Sequence, residues 1–261
     1  MPKLEGTPMQ VLVEGDRLER VDIMLSRSKG SLLGWLIRLG TGSYWNHAFM
    51  IYVIRSAEQG YNTTFIIESG GSGIDIHNIA HYFERPKKYD VGIKRLETDW
   101  FQSDKLQYGR KIRGFSLQEI DDKYDHKLIL SIARRILRQI ILAVLYPWQR
   151  LKKDPARRRV HVPRVIGMNI NAYICSGFVQ WAYYQGIGRL SREKSLDQAQ
   201  LQDIIFNPRL TGQVTEDKLL STTPADLANS RKLTWKYVIK NGVVWEASDE
   251  EEVGKILRSK R

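Results

Sequence analysis

Cysteine is almost missing from this chain: Cys175 is the only one in 261 residues. No intramolecular disulfide can form, which fits a reducing cytosol. Long apolar runs are missing as well. The longest, Ile140–Trp148, is too short to cross a bilayer. Met1–Arg20 carries acids and lacks a continuous apolar core, so no secretory signal is expected there. The turn Gly70-Gly71-Ser72-Gly73 is not followed by Gly-Lys-Ser/Thr and is therefore not a phosphate loop. No internal repeat is present. Acids are scarce in one region above all, since Lys127–Arg164 holds eleven Lys/Arg and a single acid, Asp154.

That shortage puts +10 of the chain's net charge of +12 into one segment. A field so localised attracts phosphates, either of lipid headgroups or of nucleic acid. The rest is ordinary. Apolar content of 42% and charged content of 27% describe a globular chain, long enough for one domain with additions. The expectation is a cytoplasmic protein, soluble or peripheral to a membrane.

Punctuation and periodicity divide the chain. Residues 1–20 read as an N-terminal extension. Val21–Leu25 is strand-like, and Ser31–Leu39 is an apolar helix capped by Ser31 and closed by Gly40. His47–Ile54 and Thr63–Glu68 form a hairpin; Ile74–Ile76 and Tyr89–Leu96 are further strands around a short helix near Ile79–Phe83. Ser116 with Glu119 makes a capping box that starts a helix. Lys127–Leu145 is an amphipathic helix with Lys127, Ser131, Arg134, Arg135 and Arg138 on one stripe. Cys175–Gln185 is a helix stopped by Gly186. Thr223-Pro224 starts another, Asn241-Gly242 turns a late hairpin, and Ser248–Arg261 is a terminal helix.

Cys175 opens an apolar helix in Tyr173-Ile174-Cys175-Ser176-Gly177-Phe178-Val179. There it faces unpaired backbone N–H groups and the positive end of the helix dipole, both of which favour thiolate. A free cysteine beside an apolar helix is otherwise inert packing, so a base has to distinguish the two readings. His77, His81, His126 and His161 lie in polar loops or at helix edges, where solvation is the default. His47 opens a β-branched, aromatic strand, and Glu68 closes the next one, from which its carboxylate can reach the imidazole.

The order of these pieces resembles the circularly permuted branch of the NlpC-like, papain-type superfamily. The resemblance rests on Asp22-Ile23-Met24-Leu25, the helix Ser31–Leu39, Thr41-Gly42-Ser43, His47, Ile66-Ile67-Glu68 and Cys175-Ser176-Gly177-Phe178-Val179. Tyr89-Asp90-Val91, Lys94-Arg95-Leu96, Tyr124-Asp125 and Thr223-Pro224-Ala225-Asp226-Leu227 add to it. Val21 stands where the family carries glycine, and 50 positions separate Tyr124 from Cys175, more than the fold requires. The resemblance implies that Cys175 attacks a carbonyl, that His47 shuttles the proton and that Glu68 orients His47. The backbone N–H of Cys175 helps hold the oxyanion, and Tyr124, Tyr44 and Ser176 are candidates for oxyanion or substrate contact. It calls for no cofactor and no metal.

The fold expected is α+β: a permuted papain-like domain over 21–245, with a small antiparallel sheet or partial barrel packed on the cysteine-bearing helix. Helical additions fall at 98–165 and 186–230, including the basic insertion at about 127–165, and a C-terminal helix occupies 246–261. The function expected is a thiol hydrolase or acyltransferase working through an acyl-enzyme on a peptide amide or a lipid acyl group. The alternative is a non-catalytic binding module on the same fold. Residues 127–164 would then recruit it to an anionic membrane surface, or less readily to nucleic acid, since aromatics are not interleaved with the bases.

Overall fold

The computed structural model of the protein describes residues 1–55, 63–70, 73–121, 175–194, 197–210 and 214–259. The strands are β1 Lys3–Leu4, β2 Ile23–Ser28, β3 His47–Arg55, β4 Thr63–Gly70, β5 Gly73–Asn78, β6 Tyr89–Arg95, β7 Thr234–Lys240 and β8 Val243–Glu246. The α-helices are α1 Leu32–Thr41, α2 Ala80–Phe83, α3 Asp99–Ser103, α4 Lys105–Gln118, α5 Cys175–Lys194, α6 Gln198–Asp203, α7 Glu216–Leu220, α8 Pro224–Asn229 and α9 Glu250–Arg258. All eight strands join one antiparallel sheet in the order β1-β8-β7-β6-β2-β3-β4-β5. The protein is therefore α+β, and its sheet is larger than the small one expected.

The central strands are apolar on both faces because both faces are covered. On one, Ile23, Leu25, Ala48, Met50 and Ile67 pack with Ile112 and Phe115 of α4 and with Phe178, Val179 and Ala182 of α5. On the other, Met24, Phe49, Ile51 and Ile66 pack with Val11, Leu12 and Val13 and with Tyr82 and Phe83 of α2. Val11–Val13 belong to a π-helical segment, Met9–Glu14. The first residues, read as an extension, thus contribute an edge strand and part of the second core. Among the described residues no helix is long and apolar enough to cross a membrane.

Local chemistry accounts for most boundaries. Ser31 caps α1 by accepting from the Gly34 N–H, and Thr223 and Asp226 form a reciprocal capping box on α8. Asn241 and Gly242 both take positive φ, 52° and 82°, as a tight hairpin turn requires. Four expectations are corrected. Helix α1 runs to Thr41 and is closed by Gly42 in the left-handed region, not by Gly40. Ser116 does not start a helix; it lies inside α4, its hydroxyl donating to the Ile112 carbonyl one turn back. The terminal helix starts at Glu250, capped by Asp249, not at Ser248, whose hydroxyl bonds the Glu252 carboxylate. Helix α5 runs past Gly186 to Lys194. The expected helix Lys127–Leu145 lies outside the described residues.

Gly186 is not a stop because it is a crossing point. A Cβ there would sit 2.6 Å from Ile112 Cα, so the α4 backbone occupies the space a side chain needs. Helix propensity alone makes Gly→Ala worth about 1 kcal/mol of stabilisation. Gly186→Ala is expected to do the reverse, destabilising by about 1–3 kcal/mol as overpacked cores do. Denaturant unfolding measures it; an increase in stability would contradict the close approach of α4 and α5.

Candidate active site

Helix α5 sets the position of Cys175 through buried bonds along its first two turns and beyond. The Ser176 hydroxyl donates to the Thr222 carbonyl at 2.7 Å. Gln180 donates to the Ile204 carbonyl at 2.8 Å and accepts from the Phe206 N–H at 2.7 Å. The Tyr183 hydroxyl donates to the Val21 carbonyl at 2.5 Å. Gly177 lies against the Leu220 carbonyl, with no room for a Cβ. With the helix held this way, its first residue meets the first residue of β3.

There the expected three residues come together. His47 Nε2 bonds Glu68 Oε2 at 2.7 Å, which leaves Nδ1 as the ring nitrogen available to sulfur. The imidazole and the Cys175 thiol are within hydrogen-bonding reach, and the backbone N–H groups of Ala48 and Ser176 also point at the sulfur. The pair is sheltered: Cys175 is 6% exposed, and the His47 and Glu68 side chains are 19% and 11% exposed.

Electrostatics favour the charged forms. Burial would push the Cys175 thiol up, but the His47 charge and hydrogen bond, then the two backbone N–H groups, outweigh it and lower its pKa. Burial would likewise lower His47; the thiolate of Cys175 and then Glu68 reverse this and raise it to about 10. Burial raises Glu68 too, and the His47 bond and charge, then the Tyr82 hydroxyl, bring it down to about 2. The consistent state is thiolate, imidazolium and carboxylate in a row.

Two residues beside Glu68 escaped the sequence reading. The buried Tyr82 hydroxyl donates to Glu68 Oε2 at 2.5 Å, and Tyr82 stacks on Phe49, which pairs with Glu68 across the β3–β4 ladder. His77 Nε2 stands 3.5 Å from Glu68 Oε1. The signal for His77 is the hairpin register, because β4 and β5 set Ile66 opposite His77 and Glu68 opposite Asp75; Tyr82 comes from α2, outside that register. The other candidates are elsewhere. The Tyr44 hydroxyl donates to buried Asp90 at 2.7 Å, so it is committed away from Cys175. The Ser176 hydroxyl is taken by Thr222, and only its backbone N–H faces the sulfur. Tyr124 lies outside the described residues.

Buried Lys94 invites a catalytic reading but has a structural one. Its ammonium donates to the carbonyls of Leu227, Ala228 and Ser230 at 3.1, 2.6 and 2.9 Å, closing the end of α8. Asp22, from the strand-entry motif, holds Arg95 through two bonds of 2.7 and 2.8 Å.

No protein-family model matches the chain, and no curated protein does. A solved structure similar to it is that of metalloprotein yiiX from Escherichia coli O157:H7. The two are 14% identical, over 88% of this chain and 98% of that one, with a TM-score of 0.46. That likeness is too distant to inform the chemistry.

A lowered thiol pKa keeps thiolate populated at lower pH, so alkylation by iodoacetamide is expected to reach half its plateau below the ordinary thiol value of 9.0. Glu68→Gln removes the charge that supports the imidazolium and is expected to move that midpoint upward. Rates followed across pH by mass spectrometry of the Cys175 peptide test both. A wild-type midpoint at or above the ordinary value contradicts the ion pair.

Proposed function

We propose that the protein is a cysteine hydrolase or acyltransferase of permuted papain-like fold, acting on an amide or ester. The observation that carries the reading is the Cys175–His47–Glu68 row: a sheltered nucleophile, its proton carrier and the carboxylate that orients the carrier. Val21 supports the fold. Its φ of 64° is a conformation natural to glycine and costly for a β-branched residue, at the position where the family carries glycine.

In this reading the Cys175 thiolate forms a bond to the substrate carbonyl carbon, and the π electrons move to the carbonyl oxygen. The N–H groups opening α5 stabilise that oxyanion. Collapse breaks the bond to the leaving amine or alcohol, which takes its proton from His47 Nδ1. The thioester then passes its acyl group to water or to an acceptor hydroxyl or amine. Neutral His47 removes the incoming proton and the thiolate is regenerated. Glu68 keeps its charge throughout, fixing Nε2–H and leaving Nδ1 to do the transfer.

Incubation with p-nitrophenyl acetate is expected to place a single acetyl group on Cys175, read by intact mass and peptide mapping. Cys175→Ala should abolish the adduct, and His47→Ala should slow its formation by about 10²–10³-fold. Acetylation confined to lysines, at one rate in all three proteins, would sink the assignment.

A further inference from the structure

Helix α1 turns large apolar side chains outward. Leu32, Trp35 and Leu39 sit at i, i+3 and i+7 on one face, and they are 74%, 47% and 50% exposed. The side facing the protein carries Gly34, which packs against Asn46. Half of the large apolar side chains exposed among the described residues stand on this one helix.

The stretch of chain around it carries charge of one sign, although Asp90 of β6 lies opposite Arg27 in the ladder. From Ile23 to Arg55 the chain contains no acid. Arg38 belongs to the helix and Arg27 to β2, and burial together with the Arg27 charge pushes the Arg38 pKa down, so the two guanidiniums feel each other. Arg38 donates to the Ser28 carbonyl and to Asn46 Oδ1. Arg27 lies 4.3 Å from the Tyr44 ring centre, and its Nε has no hydrogen-bond partner among the described residues. Neither pairs with a carboxylate there, whereas neighbouring Lys29 does, with Asp90.

We infer that α1 is a docking element for an anionic lipid bilayer, with Leu32, Trp35 and Leu39 entering the headgroup boundary and the Arg27/Arg38 pair meeting lipid phosphates. An apolar face holding a tryptophan and rimmed by arginines matches that interface chemically. A second copy fits less well. A ten-residue helix is roughly 15 Å long and 10 Å wide, far short of the ≈ 800 Å² per partner of a stable interface, and two chains of net charge +12 repel. The surface is also tied to the candidate active site, because Asn46, which anchors α1 through Arg38 and Gly34, immediately precedes His47.

Vesicle co-sedimentation tests this without any turnover, so it stands or falls apart from the role of Cys175. The full chain is expected to bind phosphatidylcholine vesicles containing about one-third phosphatidylserine more tightly than pure phosphatidylcholine. Trp35→Ser/Leu39→Ser should weaken that binding at least about ten-fold with an unchanged melting temperature. Arg27→Gln should narrow the preference for anionic vesicles, and Cys175→Ala should bind as wild type does. Three results would overturn the inference: no binding to either vesicle, binding by the double variant equal to wild type, or self-association of the wild type that the double variant loses.

Discussion

Everything at the candidate site depends on how closely α5 can approach its neighbours. A cysteine at a helix start has a position no better defined than the helix itself. Here the helix is fixed by backbone-to-backbone contact at Gly177 and Gly186 and by side chains that bond main-chain groups of other elements. Those bonds are directional, so they set rotation and height as well as distance. The result is a sulfur placed at the mouth of β3, where the ladder puts His47 at the strand's first residue.

The row of charges follows from that placement and explains its own cost. Taking thiolate, imidazolium and carboxylate out of water is unfavourable for each alone. In sequence they alternate in sign, and the remaining carboxylate capacity is met by the Tyr82 hydroxyl. Removing one member strands another in a dry site, a loss of about 3–5 kcal/mol for a fully buried pair. Here the partly open His47 edge, 19% exposed, would soften it. Tyr82 therefore acts through Glu68, as a positioning residue held in turn by its stack on Phe49.

Much of this was legible in the residues. Runs of β-branched and aromatic residues, the Ser31 and Thr223 caps and the Asn241-Gly242 turn are short-range signals, and they gave their elements within about two residues, except that β2 runs three residues past Leu25. The pairing of His47 with Glu68 was readable because both belong to one hairpin. What stayed hidden is tertiary. Gly186 looks like punctuation until the α4 backbone is seen against it. Ser116 looks like a cap until its hydroxyl is seen bonding back to Ile112. Tyr44 and Ser176 had the right chemistry for an oxyanion, yet Asp90 and Thr222, distant in sequence, already claim their hydroxyls.

Local rules and the folded structure disagree most at α1. Elsewhere most large apolar residues of the described elements turn inward, Leu106 and Leu117 of α4 excepted, and buried polar groups such as Lys94 and Asp22 find their partners. The joint exposure of Leu32, Trp35 and Leu39 on one helix face is not explained by folding alone. Asn46 gives the exception a structural consequence. Its carboxamide oxygen accepts from the Ser28 N–H and from Arg38, so the helix, the end of β2 and the approach to His47 share one atom. Arg38 of α1 is thus joined by a bond of 3.0 Å to the residue before the imidazole, and the end of β2 is joined to the same oxygen at 2.8 Å.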